Sequence, residues 1–526
     1  MPINAAALAY PLSDLPFKKS LEHFKYLGVC ITKQYSDLYK FNFSPLLARL
    51  TQDLQRWSLL PLSLAGRINC VKMNVLPKFL YLFQCIPIFL TKRFFHSLDH
   101  TISQFLWNKK PLRIKKDTLQ KPKELGGLAL PNFLLYYWAT NIRALLHCCC
   151  TNDQPPPWLQ VEEASCGSSS LMSLLCFPTT ISSYVHSDSV VVKNCLKIWS
   201  QFKQQFTLQS IPGLAPVYSN PLFTPSIIDN AFLIWRDKGI LSFNHLYIDG
   251  KFASFGQLAQ AYNLPSTHFF RYLQIRDFVR NRFPNFPTIP SPTLIDTILK
   301  INPYRKGTIS RIYYTLLAHQ SSSSDALRTA WSADLNIEIE PAVWEHALKW
   351  VHSSSVCARH GVLQCKVVHR VHWSKSKLAR IFPGVDSRCD RCHLGPASLG
   401  HMFWACPVLA PFWKGVFDTL SAVTSTNICP SPLVALFGVL PSGNSLPSYF
   451  CELVAFLSLL ARRVILLHWK NPQPPSHSQW LRDALHFMTL EKIKYSLRGT
   501  SSKFCKVWEP FLDHVRSIQL DIATID

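Results

Sequence analysis

The chain of 526 residues is 48% hydrophobic and 13% aromatic, a composition that allows large cores and excludes an intrinsically disordered protein. Its formal net charge of +24 favours nucleic acid as a partner. The 17 cysteines are odd in number and lack a repeating spacing, which argues against a secreted disulfide framework. We expect no signal peptide and no secretion.

The length corresponds to about three to four domain-sized units. Two apolar stretches, residues 74–90 and 446–469, resemble membrane spans at first sight. Both are interrupted by polar or charged residues and fall short of about 18 uninterrupted apolar residues. Buried helices are therefore predicted in both stretches, and no membrane association is expected.

Near the N-terminus, residues 24–32 place Leu27, Val29 and Ile31 on one face, as in a half-buried strand. Apolar residues at helical spacing then predict three amphipathic helices, at residues 44–57, 64–75 and 92–107. The second of these helices has a serine directly before it that is suited to cap it. Three short helices in succession indicate a small bundle.

The segment that follows the bundle, residues 108–123, carries seven Lys or Arg against one Asp. Each phosphate that such a run neutralises releases a counterion, which gives salt-sensitive affinity without sequence preference. A charge run is also commonly a solvated surface, but its position after the bundle favours a nucleic-acid contact. The candidate contacts are Lys109, Lys110, Arg113, Lys115 and Lys116.

The central region, residues 151–355, is predicted to be a helical connector. Pro- and Ser-rich linkers break it at residues 151–189, 283–292 and 321–324. Helical periodicity resumes beyond the connector and predicts helices in the C-terminal region. The predicted fold class is mainly α with minor β.

Four residues have the types and spacing of a metal site. Cys389 and Cys392 form a Cys-x-x-Cys pair, and His401 and Cys406 complete the donor set that structural zinc sites use. Positions five apart on a regular helix diverge by roughly 140°, so a turn or helix end must separate His401 from Cys406. His393 is a rival ligand, and the competing interpretation is a set of reduced cysteines in an apolar core.

Cations and aromatic side chains alternate around this cysteine–histidine segment. Arg370, Arg388 and Arg391 are the candidate nucleic-acid contacts there, with Trp373 and Phe382 among the interleaved rings. This mixture suits single-stranded or structured RNA, whose bases stack on rings and on arginine planes.

A hydrolase with a Cys/His site is a further interpretation. His360, His369 and His372 lie near Cys357 and Cys365 in the sequence. No orienting Asp or Asn accompanies them at a recognisable spacing, so this interpretation is disfavoured.

Several stretches together resemble one known family. They are Phe24-Lys-Tyr-Leu-Gly28, Trp57-Ser-Leu-Leu-Pro-Leu-Ser-Leu-Ala-Gly-Arg67, Gly126-Gly127-Leu128 with Leu130-Pro131-Asn132, Gln364-Cys-Lys-Val-Val-His-Arg-Val-His-Trp373, and His401-Met-Phe-Trp-Ala-Cys-Pro407 after the Cys-x-x-Cys pair. In these motifs the chain resembles the C-terminal part of the reverse transcriptase polyprotein of vertebrate long interspersed, non-LTR retrotransposons.

The resemblance implies a domain order. The expected regions are a remnant of the palm with a primer-grip-like hairpin (1–43), a three-helix thumb-like bundle with a basic tail (44–150), the helical connector (151–355), a small zinc-binding region (356–420) and C-terminal helices (421–526). It further implies nucleic-acid contacts in the hairpin and the thumb, at Lys25, Tyr26, Gly28, Gly66, Arg67 and Lys72. In the thumb, the residues alone instead favour easier helix packing at Gly66 and solvated cations at Arg67 and Lys72.

The 526 residues contain no Asp-Asp pair, whereas polymerisation needs paired carboxylates that hold two Mg²⁺ ions. The family carries that pair upstream of the hairpin. We therefore expect a truncated element product without the palm carboxylates or the endonuclease, with no catalytic residue, no Mg²⁺ site and no small-molecule substrate.

The expected function is nucleic-acid binding supported by a structural Zn²⁺. Element RNA and target DNA are the partners that the resemblance implies, in a cytoplasmic ribonucleoprotein or the nucleus. The alternative is a non-catalytic RNA-binding or structural protein retained from a transposable element.

Overall fold

The computed structural model describes residues 20–149, 156–165, 171–176, 189–320, 325–441 and 446–523. Within these residues the protein is mainly helical with two small antiparallel hairpins, which confirms the predicted fold class. Most of the linker predicted at residues 151–189, the linker at residues 321–324, and residues 1–19 of the predicted palm remnant lie outside the described residues.

The N-terminal part begins with a hairpin and continues with helices. Its elements are β1 (His23–Tyr26), β2 (Val29–Thr32), α1 (Leu38–Ser58), α2 (Leu64–Cys70), α3 (Leu76–Cys85), α4 (Lys92–Trp107), α5 (Lys116–Gln120) and α6 (Phe133–Leu145).

The stretch whose alternation predicted one strand folds back on itself as β1 and β2. Leu27 and Gly28 both have positive φ, 45° and 87°, and form a two-residue turn. Of the three predicted helices, α4 has the predicted bounds, whereas α1 begins earlier than predicted and α2 ends in a π-helical turn at Val71–Val75. Ser63 caps α2, since its hydroxyl accepts a hydrogen bond from the Gly66 amide at 3.2 Å.

The middle part consists of short helices and the second hairpin. Its elements are α7 (Pro157–Ala164), α8 (Leu171–Leu175), α9 (Val190–Gln205), α10 (Pro225–Ile228), α11 (Ala231–Asp237), β3 (Tyr247–Ile248), β4 (Lys251–Phe252), α12 (Phe255–Tyr262), α13 (Phe269–Arg282), α14 (Leu294–Leu299) and α15 (Thr308–Gln320).

The C-terminal part is helical apart from the metal-site turns. Its helices are α16 (Asp325–Leu335), α17 (Pro341–Ser353), α18 (Ala358–Val368), α19 (Lys375–Ile381), α20 (Ala410–Thr424), α21 (Pro432–Phe437), α22 (Ser448–Leu467), α23 (His477–Leu497) and α24 (Ser501–Ala523).

The chain divides into two compact units. The first comprises Met1–Leu54, Met73–Thr101 and Asn132–Gln320, and the second comprises Gln55–Lys72, Ile102–Pro131 and Ser321–Asp526.

The first unit has an aromatic core. The ring of Phe83 lies 6.2 Å from that of Phe43, 5.9 Å from Phe79 and 5.3 Å from Tyr137, measured between centroids. The buried Tyr137 hydroxyl donates to the carbonyl of Ile88 at 2.6 Å, so its polar group is satisfied.

The core of the second unit is built on α22, most of whose side chains are buried. The ring of Phe437 lies edge-on to Trp331 and Trp344 at 5.5 and 5.6 Å, and both tryptophans are buried in the core. The apolar stretch at residues 446–469 is thus a buried helix. In the part of the chain that the structure describes, no helix has both the length and the apolar character needed to span a membrane.

The second unit also holds the end of the basic segment in place. The carbonyl oxygens of Gly126 and Gly127 accept hydrogen bonds from His369 Nε2 and His352 Nε2, at 2.8 and 2.7 Å. Burial lowers the pKa of both imidazoles. These two histidines fix the backbone that follows the basic segment.

Candidate metal centre and nucleic-acid interface

The Cys-x-x-Cys pair lies on a tight turn. The Cys389 amide donates to the carbonyl of Leu394, and the His393 amide donates back to the carbonyl of Cys389, both at 2.9 Å. His393 adopts a positive φ of 58° to close the turn, and its side chain is exposed. The turn therefore brings the thiols of Cys389 and Cys392 together and leaves the rival ligand His393 outside the cluster.

A π-helical turn brings the other two residues together. His401–Ala405 forms that turn, and the Cys406 amide donates to the carbonyl of His401 at 3.0 Å. Cys406 itself is extended, with φ −66° and ψ 121°. The wider turn removes the divergence that a regular helix imposes on positions five apart. The predicted break between His401 and Cys406 is therefore present.

The four side chains have the geometry of a metal site. Cys389 Sγ lies 3.9 Å from Cys406 Sγ, and Cys392 Sγ lies 3.3 Å from His401 Nε2. All four ligand atoms lie within 4.8 Å of one another. A tetrahedral zinc site requires about 3.8 Å between two sulfurs and about 3.6 Å between sulfur and nitrogen. This group can hold a metal ion.

The protonation states of the cluster follow from burial and hydrogen bonding. Burial opposes ionisation of Cys389, but backbone amides of Cys392 and Arg391 and the neighbouring thiols outweigh it and lower the pKa of Cys389. For Cys406, burial and the nearby Cys389 raise the pKa to about 12. Burial also lowers the pKa of His401, which keeps its imidazole neutral as a ligand must be. A cation is the group that would allow several of these thiols to ionise together.

Arg391, between the two cysteines of the pair, is buried rather than presented to a ligand. Only 6% of it is exposed, and its guanidinium donates to the carbonyls of Met402 and His468 at 2.8 and 3.3 Å. Arg67 is equally buried, at 7%, and donates to the carbonyls of Leu62 and Phe105. The predicted nucleic-acid contacts at Arg391 and Arg67 are therefore replaced by packing roles inside the second unit.

Replacing Arg391 by glutamine is expected to lower the free energy of unfolding by about 1–3 kcal/mol, because two buried carbonyls lose a charged donor. Arg388→Gln is the matched control, since the Arg388 side chain is 65% exposed and pairs with Asp386 at 2.9 Å; about 0.5 kcal/mol or less is expected there. Urea unfolding measures both. Equal losses of unfolding free energy in the two variants would contradict a packing role for Arg391.

The other predicted contacts differ in accessibility. Lys25, Tyr26 and Gly28 are exposed on the first unit, and Gly66 is half-buried in α2 of the second. Burial and the nearby Lys123 lower the pKa of the half-buried Lys72. The side chains of the basic segment are exposed, namely Lys109, Lys110, Arg113, Lys115 and Lys116.

Arg370 is engaged within the second unit. Its guanidinium pairs with Asp334 at 2.6 Å and lies 4.3 Å from the centre of the Trp331 ring. The Asp334 side chain is only 7% exposed, so the pair is largely withdrawn from solvent. A phosphate would have to displace this carboxylate to reach Arg370.

We call the region that carries the four candidate ligands, residues 356–420, the metal module. A groove of about 680 Å³ lies within the second unit and is lined in part by residues of this module. We call it the Trp373 groove. Its apolar lining residues are Trp373, Leu378, Met402, Leu466 and Trp469, and its polar ones are Arg113, His372, Lys375, Asp390 and Lys470. Residues of both the predicted basic segment and the predicted cysteine–histidine segment line this groove.

The exposed ring at this groove is bordered by cations. Trp373 is 39% exposed, the Arg113 guanidinium lies 5.3 Å from its ring centre, and the Lys377 ammonium lies at 4.9 Å. Burial lowers the pKa of Lys377, and Arg113, Arg380 and Arg370 lower it further. Positive charges are thus crowded here, and an anion would relieve their repulsion.

Positive charge also surrounds His372, another lining residue of the groove. Burial lowers the pKa of Lys366, and Arg113 lowers it further. Burial, Lys366 and Arg113 together lower the pKa of His372 to about 4. With His372 neutral, the positive lining residues of the groove are Arg113, Lys375 and Lys470.

No protein-family model matches the chain.

The sequence-based predictions missed Trp469 and Lys470, among other lining residues. Trp469 and Lys470 follow α22, far along the chain from Trp373, and the Trp469 indole donates to the carbonyl of Trp373 at 2.9 Å. Trp373 was noted among the interleaved rings, and neither it nor Lys375 or Lys377 was predicted as a site residue. The sequence around these three residues contains no signal that distinguishes them from other surface aromatic and cationic residues.

The residues proposed for a hydrolase are held in other ways. Burial raises the pKa of Cys365 to about 12, which disfavours a thiolate nucleophile. His360 Nδ1 lies 3.0 Å from the hydroxyl of Ser355, and the same hydroxyl donates to Glu491 at 2.8 Å. His369 is bonded to the Gly126 carbonyl. These contacts serve packing within the second unit.

Proposed function

We propose that the protein binds single-stranded or structured RNA in the Trp373 groove and that a zinc ion holds the module beside it. The observation that carries this proposal is the partly exposed Trp373 ring with two cations, Arg113 and Lys377, at 5.3 and 4.9 Å from its centre. The proposal agrees with the resemblance to the C-terminal part of a non-LTR retrotransposon reverse transcriptase.

Base stacking is the first contribution to binding. An unpaired base can lie on an exposed tryptophan face, and such stacking is worth about 1–3 kcal/mol per base in single-strand binding. Trp373 offers such a face, and Trp469 lines the same groove. Bases in a duplex are already stacked, so the groove favours unpaired nucleotides.

Phosphate neutralisation is the second contribution. Arg113, Lys375 and Lys470 line the groove, and Lys377 lies over its tryptophan. Burial and repulsion from neighbouring arginines lower the pKa of Lys377, and bound phosphates would reduce that repulsion. The exposed lysines of the basic segment extend the cationic surface from Arg113 towards the end of α4.

Zinc is the ion that fits the donor set. Three thiolates and one imidazole in a closed tetrahedral arrangement are typical of structural zinc sites, whereas Mg²⁺ and Ca²⁺ require oxygen ligands. All four positions are supplied by the protein, so no open position remains for a catalytic water. The ion would therefore stabilise the turns that carry Asp390 and Met402 into the groove wall.

The sequence contains no Asp-Asp pair, so we propose binding, without polymerisation, for these 526 residues. Within an element, the bound strands would be its RNA and target DNA. A protein retained from an element and used only for RNA binding would rely on the same groove.

Replacing Trp373 by alanine is expected to weaken binding of a fluorescein-labelled 20-nucleotide oligouridylate about tenfold, because one stacking platform is lost. The pair Arg113→Gln and Lys377→Gln is expected to weaken binding and to reduce the slope of log affinity against log salt by about 1.4, for two phosphates on a single strand. Fluorescence anisotropy between 50 and 200 mM KCl, on the order of the salt range that reveals counterion release, measures both quantities.

Charge-matched controls are available in the second unit. Lys414 and Arg482 are exposed and do not line the groove, so Lys414→Gln with Arg482→Gln removes the same charge elsewhere. An equal loss in this control would assign binding to net charge alone. Wild-type affinity that is independent of salt would contradict the proposal.

A further inference from the structure

We propose that Lys375 is a phosphate-binding residue of the Trp373 groove and that Asp390 competes with the phosphate for it, so that Asp390 sets the affinity of the groove. This inference rests on the proposed nucleic-acid binding. It assigns to one residue of the metal-binding turn a role in the groove rather than in metal ligation.

The ion pair lies where a ligand can reach it. Lys375 Nζ and Asp390 Oδ1 are 2.7 Å apart, and their side chains are 24% and 34% exposed. Both line the groove, and among its described lining residues Asp390 is the one acidic side chain. The carboxylate therefore occupies the position beside Lys375 that a backbone phosphate would take.

The carboxylate is held in this position by its neighbours. Asp390 directly follows Cys389, whose amide and carbonyl close the metal-binding turn. Arg391 follows Asp390 and is anchored to the carbonyls of Met402 and His468. The backbone on both sides of Asp390 is thus fixed, and the acid acts as a preorganised counter-ion of Lys375.

Phosphate binding at Lys375 is then an exchange of anions. The Lys375–Asp390 ion pair separates, a Lys375–phosphate pair forms, and the released carboxylate faces solvent within the groove. Neutralising the phosphate releases counterions from the RNA, whereas the freed carboxylate takes up counterions from solution. The two effects offset each other, so this contact adds little salt dependence. Without the carboxylate, the same contact would release about 0.7 of a counterion on a single strand.

The test is Asp390→Asn, assayed with the labelled 20-nucleotide oligouridylate. We expect about fivefold tighter binding, the scale of a partly exposed ion pair, and a salt slope that is steeper by about 0.7. The control is Asp386→Asn, which removes the same charge from the same module. Asp386 pairs with Arg388 and does not line the groove, although Lys375 also contributes to lowering the pKa of Asp386. A change below about twofold is expected there.

A double-mutant cycle separates competition from a general field. Asp390→Asn is introduced both into the wild type and into Lys375→Gln, and the fold increase in affinity is compared. In the Lys375→Gln background that increase is expected to be smaller by a factor of about three or more, and the salt slope is expected to stay unchanged. Equal tightening in both backgrounds, or equal effects of Asp390→Asn and Asp386→Asn, would overturn the inference.

Two readouts keep the outcomes distinct. Metal content and thermal unfolding are measured for each variant. If Asp390→Asn lowers the metal content, Asp390→Ser is used in its place. Failure of the wild type to bind the probe, or no loss in Trp373→Ala, contradicts the proposed function. Trp373-dependent binding that is unaffected by Asp390→Asn contradicts this inference alone.

Discussion

Replacing Cys406 by serine is expected to abolish stoichiometric metal binding and to unfold the turns between residues 386 and 409. Cys406 is 1% exposed, and its thiol lies 3.9 Å from that of Cys389. Structural zinc in small modules contributes apparent binding free energies of about 10–16 kcal/mol. This exceeds what other single interactions in the module supply, so the effect should be the largest of any single substitution there.

Two cysteines of the second unit provide controls for this substitution. Cys365 is buried outside the metal group, and Cys429 is exposed. Cys365→Ser is expected to lower stability and keep the metal, whereas Cys429→Ser should change neither. Elemental analysis gives the metal content, and thermal unfolding gives the stability.

Thiol alkylation provides an independent measurement on the wild type. Cys389, Cys392 and Cys406 should be protected until a chelator is added and should then react together. Full retention of metal in Cys406→Ser, or immediate reaction of all three thiols without chelator, would contradict a metal site at this cluster.

Replacing Gly127 by alanine is expected to lower the free energy of unfolding by at least about 3 kcal/mol. A Cβ at this position would lie 2.0 Å from the backbone oxygen of Lys121. That oxygen already accepts a hydrogen bond from the Ala129 amide at 3.0 Å, and the Gly127 carbonyl is held by His352. The backbone of residue 127 fixes the position of the Cβ, and the oxygen belongs to the backbone of Lys121, so no side-chain rotation can relieve the contact.

Gly66→Ala is the matched control. A Cβ there meets Ser63 Oγ at 3.5 Å and Leu62 at 3.7 Å, which is ordinary van der Waals contact. Alanine in place of glycine within α2 is expected to stabilise the protein by about 0.5–1 kcal/mol. Urea unfolding should therefore show opposite signs for the two substitutions, and equal signs would contradict the local geometry at Gly127. The RNA affinity of Gly66→Ala tests the contact that the resemblance implies at Gly66.

The group that can hold a metal ion was predictable because its four residues are close in sequence. Residue types and spacing identified all four members of the group, and the geometry of a regular helix showed that His401 and Cys406 needed a break between them. The form of that break, a π-helical turn, was not predictable, because it depends on the Cys406 amide bonding back to His401.

Surface charge was predicted less well than metal ligation. A cation in the sequence does not reveal whether it is buried, and Arg67 and Arg391 both serve buried carbonyls. The hairpin was misread from alternation alone because Leu27 takes a positive φ, which apolar periodicity does not report. Its fold-back was implied by the resemblance to a known family.

The groove was beyond sequence reasoning because its walls come from three distant parts of the chain. Arg113 precedes the metal module, Trp373 and Lys375 lie in it, and Trp469 and Lys470 follow a long buried helix. Tertiary packing alone brings these parts together, and no periodicity or spacing encodes their proximity.

The composition of the groove also decides how a minimal fragment for testing the proposed RNA binding should be designed. A recombinant piece limited to residues 356–420, the predicted zinc-binding region, would contain every metal ligand. It would lack four of the residues that line the groove, namely Arg113, Leu466, Trp469 and Lys470. Such a piece should take up one metal ion yet bind oligouridylate poorly, so metal loading cannot serve as a proxy for RNA binding when fragments of this protein are screened.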